Sequence, residues 1–377
     1  MAAIPVSVIC DTPTIRSAVA GSKVFSIDKQ YNFNSMFDTK TGFYMRTGIM
    51  VDGKETEKDP FMGSMPSLLD IGIMGHCIHG KSGKCLASGV ECYQNGRDIH
   101  MPNMALADFT KIIKEIRGKT FQVALGGRGD PNKHEQFEDF LKVCRENYVV
   151  PNFTTSGFGL TDREVEIAAK YCGAVAVSEY RNEYTKIAIE KFVKAGMVVN
   201  LHYVLGNQSI DDAIDRLERS DFYSGLNAVI FLAHKPVGLG TKHNVLSTRD
   251  PRIAQFFKLI DEKKQPFKLG FDSCNVPGIV NYTKNIHLMS VDACEAARYS
   301  AYVTADMKML PCSFDVGGLQ WAINLYENSV EDAWNSLPFE KFRDSFRNSC
   351  PNCGKRENCF GGCPITNEIT LCKEKNP

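Results

Sequence analysis

The sequence predicts an α/β fold: a partial (β/α)6 TIM-like barrel between a small N-terminal β-rich lead-in and a cysteine-rich C-terminal segment. From residue 66 to about 272, short β-rich runs alternate with amphipathic stretches, which implies a parallel sheet. Residues 1–65 mix polar and aromatic residues with turn signals such as Asp52-Gly53 and show no helical period. After about residue 285 periodicity fades while cysteine, glycine and proline become dense. The expected boundaries are therefore 1–65, 66–285 and 286–377.

Strands are expected at 68–73, 121–125, 149–154, 174–178, 198–205, 228–233 and 267–271. Helical patterns at 105–116, 134–147, 161–172, 183–195, 210–219 and 253–263 lie between them. Thr161 and Ser209 are N-cap candidates followed by acidic first turns. Gly118, Gly173 and Gly196 stand where helices should stop. Beyond residue 285 one more helix is expected near 329–335. The tail otherwise reads as too poor in apolar pattern to bury much core, so metal clusters would supply what packing does not.

The 44 basic residues match 44 acidic ones, so the chain lacks the electrostatic footprint of a generic nucleic-acid binder. No run of about eighteen apolar residues suggests a membrane-spanning helix. The opening Met1–Ser7 has no basic segment leading into an apolar one, so no signal peptide is expected. A cytoplasmic location follows, with the fourteen cysteines reduced or metal-bound rather than in disulfides. Cys10, Cys144 and Cys172 stand alone in apolar surroundings and read as buried small hydrophobes.

The other cysteines fall into two groups. Cys77, Cys85 and Cys92 follow the first barrel strand in glycine-rich sequence. Cys294, Cys312, Cys350, Cys353, Cys359, Cys363 and Cys372 crowd the tail. Iron–sulfur clusters take soft thiolate ligands, normally four per closed cluster, and three ligands leave one iron open. The count reads as one open cluster plus thiolates for about two more. For the first group alone, zinc with His76 or His79 as fourth ligand is equally compatible. A glycine-rich turn, Gly126-Gly127-Arg128-Gly129-Asp130-Pro131, follows the second strand. Thr155-Ser156-Gly157 follows the third, and Ser178 ends the fourth. Such turns at consecutive strand ends let backbone groups approach a small ligand, and Asp130 can pair with an amine.

In this order the motifs resemble the radical S-adenosylmethionine (radical SAM) superfamily, in particular its branch with a C-terminal SPASM domain. The resemblance covers about residues 66–377. It implies a radical SAM barrel whose three-cysteine loop holds a 4Fe–4S cluster that chelates S-adenosylmethionine. Gly126, Gly127 and Asp130 look like the family's methionine-binding turn, with aspartate in place of glutamate. Ser178 resembles the ribose-binding residue, Ser156 lies in the strand-end turn between them, and Tyr93 directly after the last loop cysteine is familiar from the SPASM branch. Cys350-x2-Cys353-x5-Cys359-x3-Cys363 with Cys372 matches the SPASM spacing, and Cys294 and Cys312 fit its upstream pair.

There are three departures. The first loop runs Cys-x7-Cys-x6-Cys, wider than the family's Cys-x3-Cys-x2-Cys. Met307 stands where glycine is usual, which should matter little in a turn. No cysteine lies between Cys294 and Cys312, so a fourth ligand there would be Cys274 or a substrate thiolate, the competing reading of Cys274 being a packed thiol. The likeness implies reductive cleavage of S-adenosylmethionine to a 5′-deoxyadenosyl radical, with about three 4Fe–4S clusters and a reductant such as flavodoxin or ferredoxin. It also implies modification of a ribosomally made peptide by crosslinking or side-chain oxidation. A small-molecule substrate and a zinc-binding scaffold are the rival readings. Asp272 is a candidate proton acceptor at the barrel mouth.

Overall fold

The computed structural model describes residues 5–47, 49–51, 54–56, 60–287, 290–315 and 317–376. β1 (Val6–Asp11), β2 (Ile15–Ala20), β3 (Lys23–Asp28), β4 (Phe33–Asp38) and β5 (Tyr44–Thr47) form an antiparallel meander. β6 (Ile49–Val51) pairs with β7 (Lys54–Thr56), and the expected turn at Asp52-Gly53 lies outside the described residues. Alternation seats one face of the meander: Val24 and Phe37 pack on Phe121 and Val150 of the next domain.

β8 (Leu68–Ile71), β9 (Gln122–Leu125), β10 (Val150–Thr155), β11 (Val175–Ser178), β12 (Val199–Leu205), β13 (Ala228–Ala233) and β14 (Lys268–Phe271) are parallel and pair in chain order. Each expected helix forms between them, at Leu106–Glu115, Phe137–Glu146, Asp162–Tyr171, Glu183–Lys194, Ile210–Arg219 and Pro251–Glu262. In the first of these, Phe109, Ile112, Ile113 and the capping Ile116 recur at helical spacing and are fully buried. Thr161 closes a capping box with Glu164, an arrangement that stabilises a helix start by about 1 kcal/mol. Ser209 does not cap: its Oγ accepts from Gly206 N at 2.9 Å and donates to Val204 O at 2.7 Å. It closes the turn after β12 instead.

Strand parity sorts the side chains. Leu69, Ile71, Val123, Leu125, Val177 and Leu201 are buried on one face. The register places Asp70 beside Ala124, and Ser178 beside His202, on the other. That second face is unusually polar for a parallel sheet.

The tail completes the same sheet. β15 (Ser300–Val303) lies parallel to β8, with β16 (Lys308–Leu310) and β17 (Ile323–Asn324) antiparallel beyond it. The expectation that the tail buries little core is overturned. A helix over Leu337–Arg347 places Phe339, Phe342 and Phe346 at i, i+3 and i+7 against Trp334, all at most 1% exposed. Each such aromatic contributes about 2–3 kcal/mol by burial. Trp334 Nε1 donates to Gly63 O at 3.0 Å, tying this core to the barrel entrance. Met307 is also more constrained than a turn residue should be, with φ +61° and no exposed surface. Among the described residues no helix is long and apolar enough to cross a membrane.

Candidate active site

The loop after β8 folds around its cysteines through backbone donors. Cys77 caps the short helix Ile78–Ser82, its Sγ accepting from Gly80 N at 3.3 Å. Cys92 Sγ accepts from Gly96 N at 3.4 Å. A Cβ at Gly96 would stand 2.9 Å from Cys77 Cβ and 3.6 Å from both sulfurs, so only glycine lets this backbone pass between the two thiols. Cys85 faces the Tyr180 hydroxyl at 3.8 Å. Burial pushes its thiol up to about 11, and Cys77 and Cys92 add to the rise, which places the three thiols in one neighbourhood.

The glycine turn is stitched to this loop. Arg128, buried, donates to Gln94 O at 3.2 Å and Gly75 O at 3.3 Å. Asp130 accepts from Ser156 N at 2.8 Å and Ser156 Oγ at 2.5 Å. His79 Nε2 lies 3.3 Å from Asp130 Oδ2 yet makes no hydrogen bond, an orphaned polar atom on a buried carboxylate. The structure thus gathers the loop cysteines, Asp130 and Ser156 at one end of β8–β10. Ser178 ends β11 beside His202 of β12. The room above Gly127 is taken by the protein's own Tyr302, whose hydroxyl would lie 2.5 Å from a Cβ there, whereas Gly126 is open.

Tyr93 links this region to the tail: its ring packs on Phe314 with centroids 4.7 Å apart, and Gln94 Nε2 donates to Ser313 O at 3.1 Å. Cys312 directly precedes that pair. The tail cysteines divide into two sets. Cys274 donates to Cys363 Sγ, and the Cys312 thiol, raised first by burial, is raised further by Cys294 and Cys363 nearby. Cys359 has Cys353, Cys350 and Cys372 around it. Gly361 turns this second set at φ +80°, where a Cβ would strike Ser349 and stand 3.2 Å from Cys350 Sγ.

Asp272 ends β14 with its carboxylate engaged. It pairs with Lys235 Nζ, and it accepts from Ala233 N at 3.2 Å and Asn275 Nδ2 at 2.8 Å. Burial pulls the Lys235 pKa down, but Asp272, with Cys274 and Cys312 nearby, more than reverses this. Burial pulls His202 down to about 4, with Asp272 opposing, and pushes Asp70 up to about 7, with Glu295 adding. Lys235, His202 and Asp70 are polar groups that sequence reasoning missed. A charged residue at the end of the apolar run Phe231–Ala233 and a histidine alternating with Leu201 and Tyr203 were the signals.

Among the described residues no three His, Cys, Asp or Glu side chains already stand as ligands of one metal ion, and every cysteine is free. The donor chemistry nonetheless fits iron–sulfur clusters. The sulfurs converge in three neighbourhoods, backbone N–H groups point at Cys77 and Cys92, and glycines clear the space beside them. Binding would expel the thiol protons that burial now favours.

A partial parallel barrel with thiol groups at its strand ends and in a cysteine-rich extension defines the iron–sulfur barrel class. Residues 294–359 match the SPASM family, an iron–sulfur cluster-binding domain. The chain resembles Streptococcus suis SuiB bound to precursor peptide SuiA, at 15% identity and TM-score 0.67, covering 95% of this chain and 100% of that one. SuiB bound to S-adenosylmethionine gives 14% identity and TM-score 0.65 over 92% and 99% of the two chains. The enzyme anSMEcpe with bound AdoMet gives 13% identity and TM-score 0.58 over 82% and 92%. The chain therefore has the radical SAM fold and carries a C-terminal SPASM domain.

Proposed function

We propose that this protein is a radical SAM enzyme that modifies a ribosomally made peptide, by crosslinking or by side-chain oxidation. The observation that carries this reading is the convergence of Cys77, Cys85 and Cys92 with Asp130 and Ser156 at one end of the barrel, joined through Tyr93 and Phe314 to the SPASM cysteines. When bound, a three-cysteine 4Fe–4S cluster supplies one electron that splits S-adenosylmethionine into methionine and a 5′-deoxyadenosyl radical.

In this reading Cys77, Cys85 and Cys92 hold the open cluster. Cys274, Cys294, Cys312 and Cys363 hold a first auxiliary cluster, and Cys350, Cys353, Cys359 and Cys372 a second, for about three in all. Gly126 leaves room for the methionine moiety, Asp130 accepts its amine, and Ser178 receives the ribose. Asp130 would turn from His79 and Ser156 toward the ligand. Tyr93 packs the wall between the open cluster and the tail and keeps water from the radical. Asp272 acts with Lys235; as a lone proton acceptor it would first have to release that ammonium. The peptide reading is supported by likeness to SuiB, solved with its precursor peptide. The reductant is proposed to be a flavodoxin or ferredoxin in a cytoplasmic setting, with domains at 1–65, 66–285 and 286–377.

The test is anaerobic incubation of the reconstituted protein with dithionite and S-adenosylmethionine. 5′-Deoxyadenosine should appear, and candidate peptides encoded beside the gene should change mass. Replacing Cys77, Cys85 and Cys92 together by alanine should abolish 5′-deoxyadenosine while the tail keeps its iron. Zinc in place of iron and acid-labile sulfide in the isolated protein would sink the proposal.

A further inference from the structure

Lys235 is a buried cation to which the proposed chemistry assigns no step. Its side chain is 3% exposed and pairs with Asp272. Asp272 stands two residues before Cys274. Lys235 Nζ also lies 4.3 Å from the centre of the Phe314 ring, two residues after Cys312. The ammonium therefore bridges the two backbone segments that deliver Cys274 and Cys312, one from the barrel and one from the tail. It acts electrostatically on both thiols, pulling each down against burial. Arg298 also nears this cluster of cysteines, but its guanidinium is bound to the carbonyls of Phe61 at 2.6 Å and Cys294 at 3.0 Å. His234, next in sequence to Lys235, turns to Thr241 O at 3.0 Å.

A buried charge is costly unless its surroundings need it. A hydrophobic residue of the same length would fill the space beside Phe314 without that cost, so packing alone does not call for lysine here. What a fixed cation does beside four thiolates is electrostatic. Reduction adds one unit of negative charge to a cluster, and net charge together with burial sets its potential. We propose that Lys235, held in place by Asp272, sets the reduction potential of the auxiliary cluster carried by Cys274, Cys294, Cys312 and Cys363, keeping it able to accept an electron. This rests on the cluster assignment above. Lys235 is then a positioning residue for charge, acting through the cluster and not on substrate.

The experiment is a potentiometric titration with dithionite, followed by electron paramagnetic resonance, on full-length reconstituted protein with iron content measured in parallel. Lys235→Met should keep wild-type iron but move one auxiliary potential negative by a tenfold or larger change in the equilibrium, about 59 mV for one electron. Lys235→Arg should restore the wild-type potential, because the guanidinium keeps the charge. An unshifted potential in Lys235→Met overturns the proposal. So does loss of that cluster from Lys235→Met, which would make the lysine a structural prop. Absence of iron from the wild-type protein would instead overturn the cluster assignment on which the proposal rests.

Discussion

Cys274 donates its thiol hydrogen to Cys363 Sγ, so the turn after β14 and the end of the tail meet at two sulfurs. That bond is the main cause that holds the Cys363 thiol down to about 6, so Cys363 is a thiolate near neutrality while Cys274 keeps the proton. A packed structural thiol has no need of this pairing. A ligand pair awaiting a metal does.

Cys274→Ala should therefore cost the reconstituted protein about one of its three clusters, or leave a three-iron signal in electron paramagnetic resonance. Cys10→Ala, far from both sets, should keep the full iron content. Equal iron in Cys274→Ala and wild type would return Cys274 to the status of a core thiol.

Asp130→Asn keeps the shape of the side chain and an acceptor for Ser156 N. It removes the charge that an amine would seek. A charge-assisted hydrogen bond is worth about 1.5–3 kcal/mol, so S-adenosylmethionine affinity should fall about tenfold or more. Iron content should not change. Unaltered affinity by equilibrium binding would break the alignment of this turn with the methionine amine.

Asp70 gives a pH signature. Its carboxyl, pushed up to about 7 when folded, holds a proton more tightly than in the unfolded chain, where the ordinary value is about 3.9. Its stabilising contribution is therefore present below about pH 4 and is lost as pH rises through about 7. Asp70→Asn should flatten the fall in melting temperature between these limits. The same slope in both proteins would show that Asp70 titrates normally.

Met307 sets two effects against each other. The left-handed backbone costs a non-glycine residue roughly 1–2 kcal/mol. Removing a buried methionine side chain costs about 2–5 kcal/mol, judged from truncation to alanine. Because Met307 lies in the main core with no exposed surface, burial should win. Met307→Gly should lower stability by about 1–3 kcal/mol in denaturant melts despite relieving the backbone. A more stable Met307→Gly protein would mean that strain dominates.

Much of the fold was legible because its elements carry local signals. The barrel strands and helices announce themselves by a change of period from two to 3.6, as in Val199–Leu205 followed by Ile210–Arg219. The helix at Leu337–Arg347 was legible too, in Phe339, Phe342 and Phe346, but the surrounding cysteines and glycines masked it. Ser209 has the chemistry of a cap, and the competing turn at Gly206 claimed its hydroxyl.

The sequence by itself determined the chemistry available: soft thiol donors in two groups, a glycine turn with one carboxylate, and an alternation that forces a parallel sheet. Only the tertiary structure decided which cysteine belongs with which. Spacing along the chain measures reach and not direction, so Cys274 reads as solitary until β14 and the tail bring it to Cys363. The same holds for Lys235 and Asp272, on neighbouring strands but far apart in sequence. A buried charge acquires its meaning from its partner, and parallel pairing of β13 with β14 supplies that partner.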